Sequence, residues 1–223
     1  MLSAETIVKQ QDADTQAWHH SAEGETKDTE PQSDVEMNWL RMVRRQHQAN
    51  FALWHVEDEA RVPGASDAEI ASVKRRIDPI NQRRNDLAEG LDQALLAWLE
   101  PRGLPNSAAE LHSETPGLMI DRLSILALKI FHTREEAERA GAPPGHAERN
   151  RARLAILEEQ RGDLAACLDA LWSEILAGTR RFKLYRQLKM YNDPSLNPAV
   201  YGRFGAAKQA DSTGETGTGI GQP

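Results

Sequence analysis

The sequence predicts an all-α fold, a helical bundle built from two duplicated αα-hairpins and flanked by disordered N- and C-terminal tails. Three observations predict it. Apolar residues recur at spacings of three and four over long stretches, and helix start and stop signals bound those stretches. Sustained period-2 alternation is missing and aromatics make up only 5% of the chain, so strand signals are weak. Two of the periodic stretches also repeat each other without a gap.

Residues 1–33 are rich in Gln, Asp, Glu and Thr, too polar to offset the cost of ordering, and are expected to be a disordered tail. A first helix is expected over about 34–62, closed by Pro63 and Gly64. Ser66 and Glu69 form a capping-box pattern for a second helix, in which each side chain satisfies an orphan N–H of the other's backbone. Its seam is Ile70, Val73, Ile77, Ile80, Leu87, Leu91, Ala94 and Trp98, interrupted by Arg84, and Pro79 is expected to kink or split it. A third helix starts at Thr115 with Pro116 in its first turn, where a missing N–H is harmless, and ends at "GAPPGH". A fourth carries Leu154, Leu157, Leu164, Leu168, Leu171 and Ile175, interrupted by Arg161. A short basic helix is expected over Arg180–Met190, then an extended Pro-marked segment, then a disordered tail over 201–223.

The bundle domain thus spans 34–200. Within it, shifting residues 50–99 by 77 lays them on 127–176 with 13 identities in 50 positions, where average composition gives about 3. His55 meets His132, Arg76 meets Arg153, Arg84 meets Arg161, and "DLAEGLD" meets "DLAACLD". A shared helical period does not by itself align Arg, His and Asp, so the stretches read as two related hairpins packed as a pseudo-two-fold four-helix bundle.

Composition excludes several functions. A net charge of −7 argues against a sequence-independent grip on nucleic acid, which needs a Lys/Arg excess. No apolar run reaches the ~18 residues of a membrane span. One cysteine leaves no internal disulfide, and the N-terminus shows no secretory signal, so a cytoplasmic location is expected. No nucleophile elbow, phosphate-cradling glycine loop or Cys–His pair is present; "GTGIG" in the tail lacks a strand before it and a helix after it.

Candidate ligand-binding residues come from polar groups set in or beside the seams. A guanidinium at a core position needs partners, which must come from neighbouring helices. Arg84 and Arg161 are then either structural bridges or anion sites, since the planar fork suits phosphate and carboxylate alike. The first hairpin adds Asn81 and Asn85 beside Arg84, and Asn50, Glu57 and Arg61 on one face flanking Trp54; the second hairpin lacks all but a swapped charge pair. Amides there can read hydroxyls or phosphates, or simply form a solvated face. Glu57, Asp58 and Asp78 are the candidates to hold Mg²⁺ with a phosphate ligand; no other cofactor is expected. His55 with Asp58, and His132 with Glu135, lie one turn apart at a spacing that suits a shared transition-metal ion or a charged helix end. In "ETPGLMIDRLSILALKIFH", Asp121 and His132 share one face while Arg122 and Lys129 share another. Asp121 can pair with Arg84, leaving Arg122 or Lys129 for an external anion; or all are satisfied internally.

"NFALWHVEDEAR", "IDPINQRRND", "ETPGLMIDRLSILALKIFH" and "KMYNDPSLNP" together resemble a bacterial family of uncharacterised proteins, domain-of-unknown-function family 4254, over about residues 38–200. The resemblance implies an all-helical soluble protein, and a setting beside glycosyltransferases of lipopolysaccharide or surface-glycan assembly. It implies no catalytic residues, and Pro79 departs from the family's usual pattern. Three readings follow: a non-catalytic accessory protein acting through a glycosyltransferase or a sugar-phosphate ligand; a Mg-dependent enzyme acting on a phosphorylated or nucleotide-linked sugar; and a purely structural homodimer.

Overall fold

A computed structural model describes residues 3–20, 35–186 and 196. Among them are five α-helices: α1 (Ala4–His20), α2 (Val35–Glu59), α3 (Asp67–Leu99), α4 (Pro116–Glu138) and α5 (His146–Leu176). A parallel pair of two-residue strands, β1 (Glu110–Leu111) and β2 (Arg180–Arg181), ties the loop before α4 to the segment after α5. The strands register Glu110 with Arg180 and Leu111 with Arg181.

The local signals act as expected at both caps. Ser66 accepts the Glu69 N–H and Glu69 accepts the Ser66 N–H at 2.7 Å, starting α3. Thr115 accepts from Leu118 and Pro116 fills the first turn of α4. Pro79 does not split α3, which runs unbroken from Asp67 to Leu99. The apolar seam of α3 lies one residue over from the expected line in its second half, with Ala88, Leu91, Leu95 and Leu99 buried and Ile70 exposed. In α5 the buried line is Leu164, Leu168, Leu171 and Ile175, as the spacing predicts.

Two expectations are corrected. Residues 4–20 of the expected tail form α1, whose Ala4, Ile7 and Trp18 are buried. Its inward stripe continues through Gln11, Asp14 and Thr15, polar residues that find partners in the bundle. Asp14 meets Arg44 at 3.1 Å, Gln11 donates to the Ile120 carbonyl at 3.3 Å, and Thr15 meets His47 at 2.8 Å. The expected basic helix is also absent over 180–186: Arg180 and Arg181 are in β2, and Phe182 is buried in the core. Arg180 is held by Glu110 at 2.9 Å and Glu174 at 3.0 Å instead. The remainder of that helix, the Pro-marked segment and the 201–223 tail lie outside the described residues, as do 21–34.

Among the described residues the bundle therefore has five helices where four are expected. α2 packs on α3 and α4 on α5, so each of the two aligned stretches, 50–99 and 127–176, falls on a packed pair of helices. α4 is the one helix of the five that packs against all four others, which explains why it is apolar nearly all the way round. Its Ile120, Leu123 and Leu128 join Trp39, Val43, Leu91, Leu95, Leu168 and Ile175 at the centre.

α1 stands to the second hairpin as α4 stands to the first. Asp92 on α3 accepts the Gly117 N–H at the start of α4 at 2.7 Å; its repeat counterpart Asp169 on α5 accepts the Ala4 N–H at the start of α1 at 2.9 Å. Each carboxylate sits at a positive helix end. α3 and α4 approach so closely at Gly117 that an added Cβ would lie 2.4 Å from the Ala88 carbonyl oxygen and 2.9 Å from the Asp92 carboxylate. Gly117→Ala should therefore cost about 1–3 kcal/mol, read as a lower thermal midpoint; an unchanged midpoint would mean that the two helices part freely there.

Candidate functional site

The polar residues of α4 divide between the interior and an open face. Inside, the Asp121 carboxylate accepts from Arg84 Nε at 2.8 Å and from Arg84 Nη2, a two-pronged fork, and also from Gln46 at 2.5 Å and Asn50 at 3.0 Å. The fork holds the Arg84 guanidinium further above its ordinary value than burial lowers it, and the charges of Asp121 and Glu57 act in the same direction. Asn50 also donates to Ser124 at 2.9 Å, and His47 bridges Ser124 at 2.7 Å and Thr15 at 2.8 Å. One proton order satisfies the chain: Ser124 Oγ–H donates to Nδ1 of a neutral His47, Nε2–H donates to Thr15, and Thr15 donates to the Gln11 carbonyl. Burial pushes the His47 pKa down to about 3, consistent with that neutral ring.

Above this network lies a cavity of about 410 Å³. α2 gives it Asn50, Trp54 and Glu57 and the turn after α2 gives Arg61; α3 gives Arg84; α4 gives Ile125, Leu128 and Lys129. Three cations face one carboxylate there. Two are engaged: Arg84 uses Nε and Nη2 on Asp121, leaving Nη1, and Arg61 pairs with Asp58 at 2.9 Å and Glu57 at 3.2 Å. Lys129 is exposed and makes no ion pair among the described residues. Trp54 stands in the wall with its ring stacked on His132, centroids 4.9 Å apart and planes at 10°.

His132 belongs to a cluster behind the Trp54 wall. His19 of α1 lies 4.9 Å from His132 and 5.2 Å from His55, between Phe51 and Phe131. Burial, and then the neighbouring His19, lower the affinity of His55 and His132 for a proton. His19 donates Nδ1–H to the Thr15 carbonyl at 2.8 Å and His132 contacts Glu135 at 3.1 Å; the Nε2 atoms of both are buried without a partner.

The structure thus brings Asn50, Glu57, Arg61, Arg84 and Lys129 to one cavity and leaves the other candidates apart from it. Arg122 gives both of its contacts to Glu114, at 2.8 and 2.9 Å, beside a different cavity. Asn81 and Asn85 are half-buried on α3 and do not line the site. Asn50, at the cavity wall, donates its amide to Asp121 and Ser124 and so helps position the carboxylate. Glu57, Asp58 and Asp78 do not converge: the first two face Arg61 and Asp78 pairs with Lys74. Among the described residues no three His, Cys, Asp or Glu side chains are placed to hold a metal ion. Arg161 takes the structural reading, its Nη1 lying 2.7 and 2.9 Å from the two oxygens of Asp12 on α1.

Sequence reasoning missed Gln46, His47 and Thr15, the partners around Ser124, which stands out in the sequence as a polar group in a helix that is otherwise apolar nearly all round. The signal for Gln46 and His47 was a helical line, Trp39–Val43–Gln46/His47–Asn50–Leu53, that keeps its apolar spacing while the residues turn polar.

Compared with known proteins, the chain matches over residues 40–184 a family model described as a protein of unknown function, DUF4254. No curated protein and no solved structure is significantly similar to it.

Proposed function

The chain belongs to the DUF4254 family, and from that footing we propose that it is a non-catalytic binding protein for an anionic sugar ligand, a sugar phosphate, serving bacterial surface-glycan assembly in the cytoplasm alongside a glycosyltransferase. One observation carries the binding reading: Arg84, Arg61 and Lys129 meet the half-buried indole of Trp54 in a single cavity of about 410 Å³. Cations supply charge-assisted donors to a phosphate. An aromatic ring offers a flat apolar wall to the C–H face of a sugar. A cavity of this size suits a ligand of monosaccharide-phosphate scale. The acids that a Mg-dependent enzyme needs are engaged with Arg61 and Lys74, which favours binding over turnover.

The test is thermal stabilisation by a panel of sugar 1-phosphates and sugar 6-phosphates, with inorganic phosphate and the free sugars as controls. A ligand at about 100 times its dissociation constant adds about 2.7 kcal/mol, several degrees for a domain of this size. Arg61→Ala with Lys129→Ala should abolish the shift and leave the unliganded midpoint nearly unchanged, because both side chains are exposed. A flat panel would sink the ligand reading in favour of the protein partner or the structural homodimer. Turnover of the ligand with Mg²⁺, lost in Glu57→Gln, would replace it with the enzyme reading.

A further inference from the structure

The proposed site has a neighbour. Ile125 and Lys129, one turn apart on α4, line both the 410 Å³ cavity and a second one of about 700 Å³. The floor of the second is apolar, from Met119, Leu126 and Leu164, and Gln160, Asp163 and Cys167 of α5 stand around it. The charges are unevenly shared. Arg122 in the second cavity is paired with Glu114, and Asp163 lines the same cavity; in the first, Arg84 is paired with Asp121 and Arg61 with Glu57 and Asp58, so the cation not matched there is Lys129. Lys129, without an ion pair among the described residues, borders the two. A ligand's negative charge is therefore placed best over Lys129 and Arg84, with room on both sides of it.

Resting on the binding reading above, we propose that the two cavities form one bipartite site for a ligand in which a diphosphate or phosphodiester joins a sugar to a second bulky group. The sugar lies against Trp54, the phosphates lie over Lys129 and the free Nη1 of Arg84, and the second group covers the Met119–Leu164 floor. A nucleoside and the first units of a prenyl chain both fit a cavity of this volume, and both occur joined to sugars through such a linkage. The linkage is the shared chemistry; the Gln160 and Asp163 rim suits a base, the apolar floor a prenyl chain.

Cys167 is the only cysteine in the chain and is exposed at the second cavity, so its alkylation by N-ethylmaleimide reads occupancy there alone. The alkylation rate of the full chain would be followed by mass spectrometry with glucose 1-phosphate, UDP-glucose or geranyl diphosphate present, and thermal shift would be read in parallel. UDP-glucose protection assigns the second group to a nucleoside, and geranyl diphosphate protection assigns it to a prenyl chain. Either probe at about ten times its dissociation constant should slow alkylation roughly tenfold, in proportion to the free fraction. Glucose 1-phosphate should raise the midpoint and leave alkylation unchanged. Lys129→Ala should remove the protection, each rate with probe being compared with that variant's own ligand-free rate. A diphosphate probe that raises the midpoint while Cys167 reacts at its free rate overturns the bipartite site and leaves the single-cavity reading standing. The absence of any thermal shift with all three probes overturns both.

Discussion

Replacing Asp121 by Ala is expected to destabilise the protein by about 3 kcal/mol, the low end of what breaking a buried ion pair costs, because Arg84 keeps a 23% exposed side chain. The change removes the acceptor of four contacts at once, two from Arg84 and one each from Gln46 and Asn50. Gln46 is fully buried and Asn50 nearly so, so neither finds water in exchange. Asp121→Asn should cost less, since one carbonyl oxygen remains, but the new amide would face the guanidinium with a donor. Arg84→Ala is expected to be milder than Asp121→Ala, because Asp121 retains the two amides. The double variant should lose less than the sum of the two, the difference being the coupling of the pair. Urea unfolding of the four proteins at neutral pH makes the comparison. A loss under about 1 kcal/mol for Asp121→Ala would mean that the fork is a surface-type pair, and Arg84 would then be free to serve a ligand with its whole guanidinium.

The contrast between the two repeats shows how far the sequence could be read. Helices with caps and apolar seams were legible because Ser66, Thr115 and the Leu line of α5 act locally, whereas the second half of the α3 seam, Ala88, Leu95 and Leu99, lies one residue from the expected line. The pairing of Asp121 with Arg84 was legible as one of two arrangements, since a core guanidinium requires a carboxylate from a neighbouring helix. α1 was not legible. Its inward stripe of Ala4, Ile7, Gln11, Asp14, Thr15 and Trp18 is half polar, and its fit depends on groups far away in the chain. Asp12 takes Arg161 and Thr15 takes His47, partners separated by 149 and 32 residues. By composition such a segment is too polar to order; tertiary hydrogen bonds supply what its apolar surface lacks. Without α1 the question raised by Arg161 had no answer in the sequence, although the repeat pointed to one: the residue that clamps Arg84 comes from the helix following its hairpin, and the second hairpin must find its clamp elsewhere. Arg180–Arg181 fails for the same reason in reverse. A locally helical-looking basic run is taken over by pairing with Glu110–Leu111, and Phe182 is drawn into the core.

The pH dependence of stability should expose two buried groups that act in opposite directions. The unfolded chain protonates His47 near 6.5, while the folded protein keeps it neutral down to about 3. Between those values the unfolded state holds more protons, so this contribution is fully present above pH 6.5 and is lost as pH falls towards 3. At about 1.4 kcal/mol per unit the loss is on the order of 5 kcal/mol, and the depressed His55 and His132 add to it. Asp92 works the other way. Burial lifts its pKa from 3.8 to about 6 against its hydrogen bonds with Thr115 and Gly117. The folded state therefore holds a proton that the unfolded state releases, and acidification from 6 to 4 relieves a penalty that is fully present above 6. Asp14, also lifted by burial, has the same sign. From pH 6 to 4 Asp92 and Asp14 oppose the histidines, so the wild-type curve should be shallower there than below 4, where that opposition ends and the lowered carboxyls of Glu5, Glu59 and Glu69 add to the loss. Asp92→Asn should make the acid loss begin near pH 6. His47→Asn should flatten it or turn it into a gain over the same range. The slopes carry the argument, because any constant loss from the substitutions shifts a curve without tilting it. Urea midpoints measured from pH 7.5 to 3.5 provide them, and three parallel curves would mean that neither residue differs in protonation between the folded and unfolded chain.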